Sequence, residues 1–244
     1  MRVIALYNIK GGVGKTAAAV NLAYLAARDG EPTLLWDLDP QGAASYCLRV
    51  EPKLKGGRKG LLSGKREVGD LVKSTDYANL DVLPADFSYR NMDLGLSESK
   101  RPERAFRKLL EPLATRYRRV FLDCPPGITL SSESMFGAAD ALLTPVIPAT
   151  LSLRTLALIK EFLARESLDH LRTLAFYSMV DRRKTLHRQL VDARHDGPFL
   201  FTTIPYASDI ERMAERRAPV AVYAPKSAAA AAYEALWKEV RTFG

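Results

Sequence analysis

The stretch that most constrains this chain is Lys10-Gly11-Gly12-Val13-Gly14-Lys15-Thr16, set between an apolar β-prone run, Val3-Ile4-Ala5-Leu6-Tyr7, and an alanine-rich run from Ala17 that reads as a helix. Strand, glycine loop and helix in that order make a phosphate cradle. Glycines let successive backbone N–H groups turn towards one point, and the helix adds unpaired donors and the positive end of its dipole. A polyphosphate is the natural guest of Gly11, Gly12, Val13, Gly14, Lys15, Thr16 and Ala17. Lys15 would reach its β- and γ-phosphates, and the Thr16 hydroxyl would hold Mg²⁺. An ordinary loop of this type has glycine five places before Gly14. Ile9 stands there instead, and an additional lysine, Lys10, opens the loop.

A chain of 244 residues fits a single α/β domain with a large core. Continuous apolar runs, as expected of parallel strands buried on both faces, place strands at 3–7, 33–37, 80–84, 119–123, 141–145, 174–179 and 201–204. Segments long enough for helices separate most of them. The pattern predicts a doubly wound, mostly parallel sheet with helices on both faces, the P-loop NTPase class. Helices are clearest at 15–28, at 154–166 and after Ser227, where Tyr233, Leu236, Trp237 and Val240 form an apolar stripe that reads as docked on the core. Residues 49–118 are less regular, and 49–70, rich in glycine and lysine, read as a flexible basic surface loop.

Three further acids mark the chemistry. Asp37 and Asp39 follow the second strand at the edge where open α/β sheets bind ligands. At i and i+2 they share a side of an extended chain, so both are expected to approach the metal and γ-phosphate region. For Asp37 a structural role and a direct one are equally open. Arg119-Val120-Phe121-Leu122-Asp123 is an apolar strand ending in an acid, so Asp123 is the second candidate for holding Mg²⁺. Cys47 and Cys124 form no metal or disulfide pattern, which suits a reducing cytosol. No signal peptide is evident, and no apolar run reaches membrane-spanning length. His170, His187 and His195 lack ligand spacing and read as surface residues.

The formal net charge is +8. The cations cluster in Arg182, Arg183, Lys184 and Arg188 and in Arg212, Arg216 and Arg217, while runs at 53–66 and 101–119 compete. No base-reading pattern accompanies them, so the expected mode is contact with DNA phosphates without sequence preference.

The loop Lys-Gly-Gly-Val-Gly-Lys-Thr with its extra lysine, the Asp37-Leu38-Asp39-Pro40 segment and the Asp123-Cys124-Pro125-Pro126-Gly127 segment together resemble the ParA/MinD family of deviant Walker A ATPases. The resemblance implies ATP and Mg²⁺ as cofactors, with Lys10 crossing to the nucleotide of a second subunit in an ATP-bound homodimer. It implies that Asp39 orients the attacking water and lies near the metal, and that backbone near Gly127 senses the γ-phosphate. It also implies that Met179, Asp181, Arg182 and Pro205 lie against adenine. Small ParA/Soj-like relatives further imply a cytoplasmic, nucleoid-associated protein that binds double-stranded DNA, answers to a ParB-like or cargo adaptor and does not use a membrane. Two positions depart from the family: Ala17 replaces a second hydroxyl residue, and Asp209 stands where chromosomal relatives carry a DNA-binding arginine. A small-molecule ligase or amidase, or a metal-cluster carrier, is the alternative on the same fold.

Overall fold

A computed structural model of the chain describes residues 1–64, 67–168, 171–193 and 198–242. The strands are β1 (Arg2–Leu6), β2 (Thr33–Asp37), β3 (Lys73–Ser74), β4 (Leu80–Leu83), β5 (Arg119–Asp123), β6 (Ala141–Val146), β7 (Arg172–Val180) and β8 (Phe199–Pro205). They form one sheet in the order β3-β4-β2-β5-β1-β6-β7-β8, parallel throughout except for β3. All seven expected strands fall within two residues of their predicted bounds. The eighth, β3, is two exposed residues without an apolar signal.

The helices are α1 (Lys15–Arg28), α2 (Ala43–Cys47), α3 (Gly57–Leu62), α4 (Met92–Ser97), α5 (Ala105–Leu110), α6 (Leu130–Ala138), α7 (Thr150–Arg165), α8 (Thr185–Asp192), α9 (Ser208–Glu211), α10 (Met213–Arg216), α11 (Val220–Tyr223) and α12 (Ala228–Val240). Alternation along the central strands divides the core in two. Val3, Ala5 and Tyr7 of the β1 region, with Trp36 and Val120, pack on Leu61, Phe106, Phe136 and Phe162 from helices α3 and α5–α7. Ile4, Leu6, Leu35 and Phe121 pack on α1 and α12. The apolar stripe of α12 is buried as expected, and the Trp237 indole N–H donates to Asp29 at 2.8 Å. Among the described residues no helix is long and apolar enough to cross a membrane.

The region 49–70 does not read as the sequence suggests. Leu54 and Leu61 are buried, and Gly57–Leu62 is helical. Gly57 is why this basic stretch can dock: a Cβ there would lie 2.7 Å from Ser88 Oγ, and its φ is +53°. Asp86 and Ser88 then accept from the Leu54 and Arg58 N–H groups at 2.9 and 2.7 Å. Lys65 and Arg66 lie outside the described residues, as do His170 and His195. At the far sheet edge, Glu239 of α12 accepts the N–H groups of Phe201 and Thr202 in β8, both at 2.8 Å.

Candidate nucleotide site at the strand ends

Past β1 the chain turns into the glycine loop, and the turn is fixed by Asn8. Its side chain is buried, donates to the Pro145 carbonyl at 2.8 Å and accepts from the Lys10 N–H at 2.9 Å. Gly12 and Gly14 hold φ of +69° and +94°, the left-handed backbone that aims consecutive N–H groups to one side. A Cβ on Gly11 or Gly12 would meet nothing within 4 Å, so the loop faces open space. Gly14 leads directly into α1.

Lys15 is only 6% exposed, and its ammonium donates back to the carbonyls of Lys10 and Asn8 at 3.0 and 3.4 Å. Burial lowers its pKa, while Asp123 and Asp39 oppose that shift. Lys10 behaves differently. It is partly exposed, and its ammonium has no partner among the described residues.

Parallel pairing of β2 with β5 puts Asp37 directly beside Asp123. Both are buried. Asp37 and Asp39 lie close enough to act on each other and on Asp123, but Asp37 does not offer both of its oxygens to the site. Its Oδ2 instead accepts from the Ser45 N–H and hydroxyl, both at 2.7 Å, fastening α2 to the strand end. Ser45 Oγ in turn accepts from Ala85 N–H at 3.0 Å. Nothing in the sequence singled Ser45 out, since its role depends on a partner eight residues away. Asp39 lies in the turn, half buried, with Oδ1 accepting the Gln41 N–H at 2.9 Å.

Both Asp123 oxygens and Asp37 Oδ1 are buried without hydrogen-bond partners among the described residues. Burial, and next the Asp37 carboxylate, push the Asp123 pKa well above the usual carboxylate range, against the pull of Thr16 and Lys15. Burial likewise pushes Asp37 up to about 6. Orphaned oxygens of two adjacent acids, with the Thr16 hydroxyl and Asp39 nearby, are a donor set of the hard-oxygen kind that Mg²⁺ takes.

Cys124 is buried and its thiol is pushed far up by burial, so it acts as a small core residue. Beyond it, the Gly127 N–H donates to the Ile9 carbonyl at 3.1 Å, and the Tyr7 hydroxyl donates to the Gly127 carbonyl at 2.9 Å. The Tyr7 contact was missed from sequence, where Tyr7 reads only as the end of a strand.

On the other flank of the loop, Met179 has φ +55° at an irregular step between β7 and β8, and Ser178 lies so near Gly14 that a Cβ there would sit 2.8 Å from its hydroxyl. The Tyr206 N–H donates to the Val180 carbonyl at 3.0 Å, holding the Pro205 strand end alongside. The Asp181 carboxylate is taken by Arg183 at 2.9 Å to each oxygen, and Arg183 lowers its pKa to about 2. His187 is a correction: it is 7% exposed, and its Nδ1 accepts the Asp181 N–H at 3.1 Å. Arg182, Lys184, Arg188, Arg212 and Arg216 are exposed. Arg217 is not a free surface cation. It donates to the Tyr46 carbonyl at 3.1 Å and lies 4.5 Å over the Tyr46 ring, tying α10 to α2.

A parallel sheet of this order, a glycine loop opening α1, and acids at the ends of β2 and β5 define a P-loop nucleotide-binding ATPase. The comparisons place it more closely. A family model described as an AAA domain (AAA_31) matches residues 1–171. The chromosome partitioning protein ParA of Caulobacter vibrioides is 32% identical over 250 residues, covering 98% of this chain and 94% of that protein. The sporulation initiation inhibitor protein Soj of Bacillus subtilis is 30% identical over 252 residues, covering 100% and 99%. Among solved structures, cobyrinic acid a,c-diamide synthase from Mycobacterium smegmatis, with a bound ATP analogue and magnesium, is 26% identical at a TM-score of 0.85, covering 98% and 94%. This chain belongs to the ParA/MinD family of P-loop ATPases.

Proposed function

We propose that the chain is an ATP-switched positioning protein: ATP closes a homodimer, the dimer binds duplex DNA without sequence preference, and a cargo adaptor triggers slow hydrolysis and release. One observation carries the reading. Of two lysines in one phosphate loop, Lys15 is buried against the loop's own carbonyls while Lys10 is partly exposed with its ammonium unpartnered. One lysine serves its own nucleotide. The other is available to a second subunit's.

In this reading Thr16, Asp123 and Asp39 would hold Mg²⁺, which would supply charge neutralisation at the phosphates. Asp39 positions the attacking water; an unburied carboxylate is a weak base at neutral pH, so orientation is its contribution. The Asp39–Gly42 turn and the Asp123–Gly127 segment are the two pieces whose arrangement follows the γ-phosphate. Met179, Asp181, Arg182 and Pro205 line the adenine side, where the Asp181 carboxylate is engaged by Arg183 and its N–H by His187. The DNA surface is built from Arg182, Lys184, Arg188, Arg212 and Arg216, exposed cations that contact phosphates. The protein acts in the cytoplasm on the nucleoid.

Duplex DNA binding with ATP, with ADP and without nucleotide, at low and moderate salt, tests this. Binding is expected only with ATP, and is expected to be lost in Lys10→Ala. If about six phosphates are neutralised, affinity falls on the order of a thousandfold between about 50 and 200 mM salt. DNA binding indifferent to nucleotide would overturn the switch. Likeness to the diamide synthase keeps one second reading, an ATP-dependent amidating ligase. It predicts hydrolysis that depends on a carboxylate metabolite and ignores DNA.

A further inference from the structure

The segment leading from β5 into α6 is held at two places. The first is the phosphate loop, through the bonds of Gly127 to Ile9 and Tyr7. The second lies outside the nucleotide site altogether. Asp93, on α4, accepts the Ser131 N–H at 2.9 Å and the Ser131 hydroxyl at 2.7 Å through its Oδ1, and Ser131 is 6% exposed.

That bond is not needed to form the helix. Thr129 already caps α6 in a reciprocal box: its side chain accepts the Ser132 N–H, while the Ser132 hydroxyl accepts the Thr129 N–H at 2.8 Å. What Asp93 adds is a location, since it ties the start of α6 to a different helix. The rest of α6 is seated on the same layer. Ser134 Oγ accepts the Phe106 N–H at 3.3 Å, and Arg107 donates to the Gly137 carbonyl at 2.5 Å. Gly137 permits this fit, because a Cβ there would lie 2.6 Å from the Glu103 carbonyl oxygen. The α4 side is equally close: a Cβ on Gly95 would strike Arg58 and Leu62 of α3.

We propose that Asp93 is a positioning residue for ATP hydrolysis, acting through Ser131 to fix where α6 begins and therefore where the 124–129 segment lies beside the γ-phosphate. The layer of α3, α4 and α5 is then the seat of the switch, and force applied to that layer reaches the nucleotide through α6, with this carboxylate fixing its start. The proposal rests on the ATPase reading of the site.

The test compares Asp93→Ala, Asp93→Asn and, as a control acid exposed on the same layer, Asp70→Ala. For each, kcat, KM, MgATP affinity, melting temperature and amide exchange across 125–134 are measured on the full chain. Asp93→Ala is expected to lower kcat about three- to tenfold with KM and affinity within about twofold. Amides at the start of α6 should exchange faster in the nucleotide-bound protein. Asp93→Asn should restore kcat, since its carboxamide oxygen accepts the same two bonds. Ser131→Ala, which deletes one of the two bonds from the other side, should give a smaller change of the same kind. Unchanged kcat in Asp93→Ala overturns the proposal. So does a parallel fall of kcat, affinity and melting temperature, the mark of general loosening. If the wild-type chain hydrolyses no ATP, the ATPase reading falls by itself, and the exchange at 125–134 alone decides on Asp93.

Discussion

Strand β5 carries a buried charged residue at each end, and the two are treated in opposite ways. At its start, Arg119 pairs with Glu31, donates to the Arg241 carbonyl at 3.2 Å and lies 5.0 Å over the Trp237 ring. At its end, four residues on, neither Asp123 oxygen has a hydrogen-bond partner among the described residues, and the acid directly beside it is a like charge, with only the Thr16 hydroxyl and Lys15 nearby to oppose it. Folding accounts for the first arrangement, because a buried charge is tolerated where the chain supplies an opposite charge, even though Arg119 Nη1 is left without a hydrogen-bond partner among the described residues. It does not account for the second. An unpaired carboxylate at full burial marks the end of the strand that awaits something from outside the chain.

The largest expected effect comes from the open end. Asp123→Asn should lower ATP hydrolysis by about a hundredfold or more while metal-free stability holds or rises by about 1 kcal/mol, because a buried like-charge pair is relieved. Turnover assays and urea melts check both halves. At the closed end the sign reverses: Arg119→Ala should cost about 3 kcal/mol by leaving Glu31 without its guanidinium, with nucleotide affinity retained. Equal destabilisation by the two variants would erase the contrast between the strand's ends.

A smaller effect sharpens it through pH. Burial raises Asp37 to about 6 and Asp123 further, so the folded protein keeps protons that the unfolded chain has already released. That contribution to stability is complete below the unfolded carboxylate pKa and is lost as pH rises through about 6. Metal-free protein should therefore lose about 1 to 2 kcal/mol between roughly pH 5 and 7.5. Asp123→Asn should flatten the slope and Arg119→Ala should leave it; chemical denaturation at the two pH values reads it directly.

Regions whose structure depends on near neighbours were legible from the chain. The glycine loop, β2, β5, α1 and α12 follow from local pattern, because apolar period and turn chemistry act within a few residues. The layer formed by residues 49–118 was not, since its order comes from contacts dozens of residues apart: Leu54 to Asp86, Arg58 to Ser88, Asp93 to Ser131. Gly57, Gly95 and Gly137 give no sequence signal of this packing, whereas in the fold each is the place where a Cβ would strike a neighbouring side chain or carbonyl. The same limit applies in the candidate site. The spacing of Asp37 and Asp39 suggested two acids at one site, but not that Ser45, eight residues on, takes one Asp37 oxygen. Charge clusters were visible, but not which members are taken: Arg183 by Asp181 and Arg217 by Tyr46.

The two margins of the sheet are closed by different means. On one side, β3 is only two residues long, too short to template another strand. On the other, the Glu239 carboxylate occupies two consecutive donors of β8, beside a Phe201 side chain that is 97% exposed. An incoming strand meets either almost no length to register on or donors that are already satisfied. Copies of the chain are thereby hindered from ribbon-like stacking, and any contact between two of them falls to faces and loops rather than to extension of the sheet.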